Sequence, residues 1–335
     1  MPQRYYPQFA AAFQQAMAEL TGQRVLIQGH LRPDGDCIGA QVALCRCLNQ
    51  NWTEAIAINQ DTVPRNLASF VGDTPFYQAG AYPDTGWEAP RVINVDCADR
   101  KRVGATSSQR HLKLHANIDH HLSNPNYATY NIVDAESAAC CEILAGLFLD
   151  HALPIDAITA QALYVGIATD TGQFRFASTT RQVFEICSRL LQLGAEPAVA
   201  AIELYERESR AKTVLLQRFL ASLEFACEGR VCIGFLPEGI YTETGTDRED
   251  AEGLVDYTRA IDGVAIGVSL EAYGGKIKGS LRAKDSVHRV DRLASQFDGG
   301  GHANAAGFNV DGTLASFYRE LLDVLERHFQ TDVPR

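Results

Sequence analysis

The segment His30-Leu31-Arg32-Pro33-Asp34-Gly35-Asp36 places one imidazole and two carboxylates just after a short apolar run. Asp34 and Asp36 straddle a glycine, a spacing that lets a turn aim both carboxylates at one point. Asp96 closes the run Arg91-Val92-Ile93-Asn94-Val95, Asp119-His120-His121 closes Ala116-Asn117-Ile118, and Asp170 ends another apolar stretch. A single aspartate after a strand is most simply a helix cap or turn former. Four such groups, each at the end of an apolar segment, gather like charges that repel unless a cation neutralises them. Oxygen donors with some imidazole suit hard or borderline divalent ions such as Mn2+ or Mg2+.

A second set of residues suits anions. The segment from Lys276 to Lys284 alternates with period two, so Lys276, Lys278, Ser280, Arg282 and Lys284 share one face of a strand. Solvated faces and edge strands also carry such cations. This chain, however, has 30 Lys and Arg against 41 Asp and Glu, and a one-sided cationic strand departs from that background. Asp298-Gly299-Gly300-Gly301-His302 reads as a glycine-rich turn whose N–H groups can face an anion. It lacks the strand and helix of a dinucleotide fingerprint. Arg175, shortly after Asp170, could reach a phosphate, while Phe174 and Phe176 read as packing residues.

These residues need a scaffold. Short strands are expected over 25–28, 55–58, 91–95 and 116–118, with helices over 38–48, 138–149, 157–168 and 181–193. Thr179 and Gln182 form a candidate capping box for the last helix. Strands alternating with helices imply a mostly parallel sheet covered on both faces, with ligands at the carboxyl ends of its strands. After Gly194 a helical connector is expected. A second alternation then follows: strand 231–235, helix 249–260 capped by Thr246 and Glu249, strands 264–272 and 276–284, helix 290–297, the glycine-rich turn and helix 314–329. The expected domains are 1–194, 195–228 as connector, and 229–335.

A chain of 335 residues fits two domains. No apolar run approaches the roughly 18 residues that span a bilayer, and the first twenty residues read as an amphipathic helix rather than a signal peptide. The nine cysteines include no C-x-x-C pair and read as reduced, buried thiols suited to the cytoplasm. A net charge of -11 opposes broad binding of long nucleic acids.

The series HLRPDGD, VD, IDHH and ATDTG resembles the DHH phosphoesterase superfamily, and GGGHANAAGF with KGSLRAK resembles its associated C-terminal domain. The resemblance implies that His30 and Asp34 bind one metal, that Asp36, His120 and Asp170 bind another, and that Asp96 bridges them. His121 would face the substrate phosphate, and Asp119 would orient the histidines from behind. The expected cofactors are two divalent cations, Mn2+ foremost, with Mg2+ or Co2+ as alternatives. They would activate a water for in-line attack on phosphorus. Cationic side chains would stabilise the phosphoryl oxygens, and His121 would stabilise that charge or protonate the leaving oxygen. Arg282, Ser280, His302, Gly300 and Gly301 would bind substrate across a cleft from the metals, in a smaller C-terminal α/β domain.

Size and layout most resemble the stand-alone bifunctional oligoribonuclease and pAp phosphatase family. Its substrates are short RNA, linear dinucleotides such as pApA, and 3′-phosphoadenosine 5′-phosphate (pAp). A soluble phosphodiesterase preferring linear or cyclic dinucleotides and a non-catalytic nucleotide-binding module are the rival readings. No membrane or long nucleic acid partner is expected, and a homodimer is left open.

Overall fold

The structure, a computed structural model, describes residues 4–331 except 52, 82–86, 88, 111–112 and 286. The first three residues of the N-terminal segment therefore lie outside the described residues. The chain divides into two compact units, Met1–Arg207 and Glu208–Arg335.

In the first unit, strands β1 (Arg24–Gln28), β2 (Glu54–Asn59), β3 (Phe76–Gln78), β4 (Arg91–Val95), β5 (Ala116–Asp119) and β6 (Tyr130–Val133) form one sheet. Their order is β3-β2-β1-β4-β5-β6, and every pairing is parallel. Val25, Leu26 and Ile27 are fully buried, as expected of a parallel strand covered on both faces. The helices are α1 (Ala10–Ala18), α2 (Gly35–Asn51), α3 (Ala105–Arg110), α4 (Cys140–Asp150), α5 (Ala157–Asp170), α6 (Arg181–Gln192) and α7 (Pro197–Tyr205). In α6, Val183, Ile186, Cys187 and Leu190 are buried, the i, i+3, i+4, i+7 stripe of an amphipathic helix.

Strand order reverses between β1 and β4, and crevices at such reversals lie outside the carboxyl ends of the strands. His30 follows β1, Asp96 follows β4, and Asp119 ends β5. The fold thus delivers three of the four groups to one edge. The fourth, Asp170, arrives at the C-terminal end of α5.

In the second unit, strands β7 (Glu224–Ala226), β8 (Val231–Leu236), β9 (Ile266–Tyr273), β10 (Lys276–Ala283), β11 (Gly300–His302) and β12 (Ala305–Asp311) form a sheet in the order β11-β12-β10-β9-β8-β7. Helices α8 (Arg210–Ala221), α9 (Ile240–Thr244), α10 (Leu254–Ala260), α11 (Val290–Ser295) and α12 (Leu314–Thr331) complete the unit. Phe317, Leu321, Val324, Leu325 and Phe329 of α12 share a core with Ile277, Leu281 and Phe308. The architecture is α/β: a parallel N-terminal sheet flanked by helices, followed by a C-terminal sheet domain.

Several local expectations are corrected. Strands β3 and β6 were not anticipated. The stretch 195–228 is divided between the units, α7 in the first and α8 in the second. Thr180, not Thr179, caps α6, its hydroxyl accepting from the Val183 amide at 3.3 Å. The helix expected over 249–260 breaks into a 3-10 turn, Glu249–Ala251, and α10, because Gly253 takes a φ of 81°. Thr246 caps neither; its hydroxyl pairs with that of Thr244 at 2.7 Å. The glycine-rich turn is the β11–β12 hairpin.

Candidate functional site

The eight Asp and His residues singled out in the first unit converge. His30 Nε2 lies 3.2 Å from Asp96 Oδ2 and 3.7 Å from Asp34 Oδ1. His120 Nε2 lies 3.3 Å from Asp170 Oδ2, 3.5 Å from Asp96 Oδ1 and 3.8 Å from Asp36 Oδ2. Asp96 therefore turns one oxygen toward each histidine. Its backbone adopts a φ of 50°, a left-handed conformation that Asp tolerates better than most residues. Meanwhile its amide donates to the Ile118 carbonyl at 2.9 Å.

Each carboxylate is held by its surroundings. Asp34 accepts from the Cys37 amide at 3.0 Å, at the start of α2. Asp36 is fully buried, and accepts from the Cys140 amide at 2.6 Å and the Cys141 amide at 2.8 Å. The first-turn amides of α4 thus close on a side chain of α2, satisfying donors that lack an intrahelical partner. The glycine between the two aspartates does not supply an unusual φ. A Cβ on Gly35 would collide with Thr169, so glycine lets α2 meet the end of α5 beside Asp170.

Asp119 is buried and orients His121, accepting from Nδ1 at 2.8 Å. Its other oxygen accepts from Asn124 Nδ2 at 2.6 Å. Of the two histidines, only His121 is bonded by this carboxylate; His120 Nδ1 faces the Ser137 carbonyl at 3.4 Å.

The electrostatics call for positive charge. Burial, then the neighbouring carboxylates of Asp96 and Asp170, push the Asp36 carboxyl well above its usual range. Burial pushes Asp170 up to about 6, against the opposing pull of His120. Burial would also raise Asp96, but its contacts with His120 and His30 outweigh it and hold the carboxyl below its usual value. Burial disfavours a charged His120, yet Asp170 and Asp96 raise its proton affinity to about 12. At His30 burial is likewise outweighed, by Cys37, Asp34 and Asp96. Asp96 Oδ1 is buried without a hydrogen-bond donor. Such an acceptor is costly to leave unpaired, and oxygen donors grouped with imidazoles fit divalent cations. Among the described residues, three ligand-atom groups are close enough to hold an ion: Asp36, His120 and Asp170; Asp96, His120 and His121; and His30, Cys37 and Asp96.

Sequence reasoning missed two residues here. Cys37, buried with its thiol pushed up to about 11 by burial, joins His30 and Asp96. Arg102 sets its Nη1 3.2 Å from His121 Nε2. The triplet Arg100-Lys101-Arg102, shortly after Asp96, was the available signal.

The second unit gathers most of its expected residues on one face. Arg282 and His302 both stand opposite Ala305, and Ser280 and Gly300 both stand opposite Gly307. Directly opposed residues share a face, so two adjacent rows carry Arg282, His302 and Ser280. Gly300 leaves its position open, since an added Cβ would meet nothing within 4 Å. Gly301 stands opposite Ala306, as does Leu281, and belongs to the other parity. The cationic stripe is thinner than its sequence suggests. Lys284 lies past the strand end and donates to the Ile261 carbonyl at 2.6 Å, and Lys278 Nζ lies 3.9 Å from Glu271 Oε2. Arg175 of the first unit is exposed, and its Nε donates to the Gly172 carbonyl at 2.7 Å. Among the described residues it makes no contact with the Asp and His cluster.

Comparison with known proteins matches residues 24–167 to the DHH family, N-terminal domain, and residues 228–331 to the DHHA1 domain. The bifunctional oligoribonuclease and PAP phosphatase NrnA of Thermus thermophilus is 28% identical over 305 residues, spanning 90% of this chain and 89% of that protein. The Bacillus subtilis protein of the same name is 26% identical over 289 residues, spanning 85% and 89%. The crystal structure of an exopolyphosphatase-related protein from Bacteroides fragilis matches with a TM-score of 0.86 at 24% identity over 96% of both chains, a likeness of fold.

Proposed function

We propose, from the premise that this chain belongs to the DHH family of phosphoesterases, that it is a metal-dependent phosphohydrolase of short nucleotides. Its substrates are short oligoribonucleotides and linear dinucleotides such as pApA, cleaved to mononucleotides, and pAp, dephosphorylated to AMP. The names of the relatives from Thermus thermophilus and Bacillus subtilis support this choice.

The observation that carries the reading is Asp96, whose Oδ2 lies 3.2 Å from His30 Nε2 while its Oδ1 lies 3.5 Å from His120 Nε2. A carboxylate shared in this way suits two cations. His30 and Asp34 would hold one, Asp36, His120 and Asp170 the other, and Asp96 both. The chemistry divalent cations supply in such sites is polarisation of phosphoryl oxygens and a lowered water pKa. Mn2+ suits the mixed oxygen and imidazole set best. His121, held by Asp119, would face the scissile phosphate. Ser280, Arg282, His302 and the backbone of Gly300 and Gly301 would hold the rest of the substrate. The free cysteines suit a cytoplasmic enzyme, and among the described residues no helix is long and apolar enough to cross a membrane.

The test is turnover of pAp, pApA, short RNA and cyclic dinucleotides by the purified protein with Mn2+. Hydrolysis of pAp and pApA is expected. Preference for the cyclic substrates overturns the substrate assignment. Full metal occupancy with no turnover of any of them points instead to a nucleotide-binding module.

A further inference from the structure

The geometry points to Arg102 as a catalytic residue, whose guanidinium, braced by His121, contacts a non-bridging oxygen of the scissile phosphate. The inference rests on the phosphoesterase reading above and adds a residue to it.

Arg102 is placed by backbone rather than by chance of rotamer. It lies in the 3-10 helix Arg100–Val103, which Asp99 caps by accepting from the Lys101 amide at 2.8 Å. The Arg102 carbonyl accepts from the Leu31 amide at 2.6 Å, tying this helix to the loop that carries His30. The side chain then reaches the opposite wall. Asp119 accepts from His121 Nδ1 at 2.8 Å, and His121 Nε2 accepts from Arg102 Nη1 at 3.2 Å. The ring is thereby held from both nitrogens.

The guanidinium is conspicuous for the partner it lacks. Arg46 is paired with Asp156 and Asp73, Arg248 with Glu271 and Arg289 with Asp291. Arg102 is half-buried and has no carboxylate partner among the described residues, in a chain of net charge -11. Its neighbours in the triplet differ: Arg100 Nη2 donates to the Ser108 carbonyl at 3.1 Å, and Lys101 is exposed. A guanidinium carries five N–H donors in a planar fork, so one bond to His121 leaves donors for a phosphate.

The reaction needs such a charge. In hydrolysis, the water oxygen forms a bond to phosphorus as the bond to the leaving ribose oxygen breaks. A water proton ends on that leaving oxygen, and negative charge stays on the non-bridging oxygens. Asp34, Asp36, Asp96 and Asp170 all repel that charge. Arg102, one residue contact from the cluster, is a fixed cation that opposes their repulsion.

The experiment measures kcat and KM for pApA together with metal content for wild type, Arg102→Ala, Arg102→Gln and Arg102→Lys. Arg102→Gln keeps a donor toward His121 without the charge, so it tests the inference even where the alanine variant folds poorly. The expected result is a fall in kcat of about 10²- to 10³-fold in Ala and Gln, as for loss of one preorganised oxyanion donor. Metal content stays at the wild-type level, Lys restores part of the rate, and added guanidinium ion raises the rate of Ala. Wild-type kcat and KM in Arg102→Gln overturn the inference alone. So does a loss of rate matched by loss of metal, which assigns Arg102 to holding the His30 loop. Absence of turnover by wild type overturns the phosphoesterase reading and this inference with it.

Discussion

The carboxylate of Asp36, in the first turn of α2, accepts from the backbone amide of Cys140, in the first turn of α4, at 2.6 Å. A residue proposed to bind metal is therefore also a helix cap, and Ala139, the residue before α4, supplies no side-chain cap of its own. Two uncharged replacements separate the roles. Asp36→Asn keeps an acceptor for the α4 amides, whereas Asp36→Leu, of similar size, keeps none. In chelator, Asn should be the more stable by about 1–2 kcal/mol, the worth of a helix cap. Equal melting curves for the two would show that α4 does not depend on this acceptor.

Asp96→Ala should abolish turnover and lower occupancy of both metals, because it removes the one carboxylate among the described residues that reaches both His30 and His120. Ligands that bind only the folded state stabilise it, by about 4 kcal/mol at a thousand times Kd. Mn2+ should therefore raise the melting temperature of wild type and leave Asp96→Ala nearly unmoved. Two full equivalents of metal in the variant contradict the shared role.

His121→Ala should retain both metals and lose about 10²- to 10³-fold in kcat, the range for loss of preorganised stabilisation of the phosphoryl oxygens, because it removes the ring that braces Arg102. Its Nδ1 is engaged by Asp119, whereas His120 Nε2 faces the Asp36, Asp96 and Asp170 cluster. Metal analysis decides between the two histidines, since an emptied site in His121→Ala would reverse their roles.

Arg282→Ala should mainly raise KM, and more for pApA than for ApA, which lacks the terminal phosphate. Loss of a charge-assisted bond costs about 1.5–3 kcal/mol, or roughly 10- to 150-fold at about 1.4 kcal/mol per decade. With Lys284 and Arg289 already engaged, few neighbouring cations remain to compensate. An equal loss on both substrates would mean that Arg282 does not read the terminal phosphate.

Asp156 caps α5 by accepting from the Thr159 amide at 2.8 Å and pairs with Arg46 of α2 at 2.6 Å. Burial acts to raise its carboxyl, but these partners lower it to about 2. A depressed folded pKa gives stability that is present above the unfolded value near 4 and lost as pH falls toward 2. The group is partly solvent-screened, so Asp156→Ala should cost only about 1 kcal/mol. That difference should stay flat from pH 8 to roughly pH 5 and narrow only below. Denaturant unfolding at several pH values checks this; narrowing already near pH 6 would assign the effect to another group.

The types of the proposed metal-site residues were legible before any fold was known. His30, Asp96 and Asp119 each sit at or just after the end of an apolar run short enough to be a strand, and parallel strands bring such ends to one edge of a sheet. The two faces of β10 were legible for a similar reason, because a period of two states which side chains share a face. Spacing could not reveal what holds those residues in place. Asp36 meets Cys140 across 104 positions, and Asn124 reaches Asp119 only through a folded loop. The break at Gly253 and the short strands β3 and β6 carry too little periodicity to outweigh tertiary context. Arg102 was visible as one of three consecutive cations. That it faces His121 depends on the Leu31 amide meeting its carbonyl, a contact between distant loops made by strand pairing and packing, which act beyond the few residues over which local propensity operates.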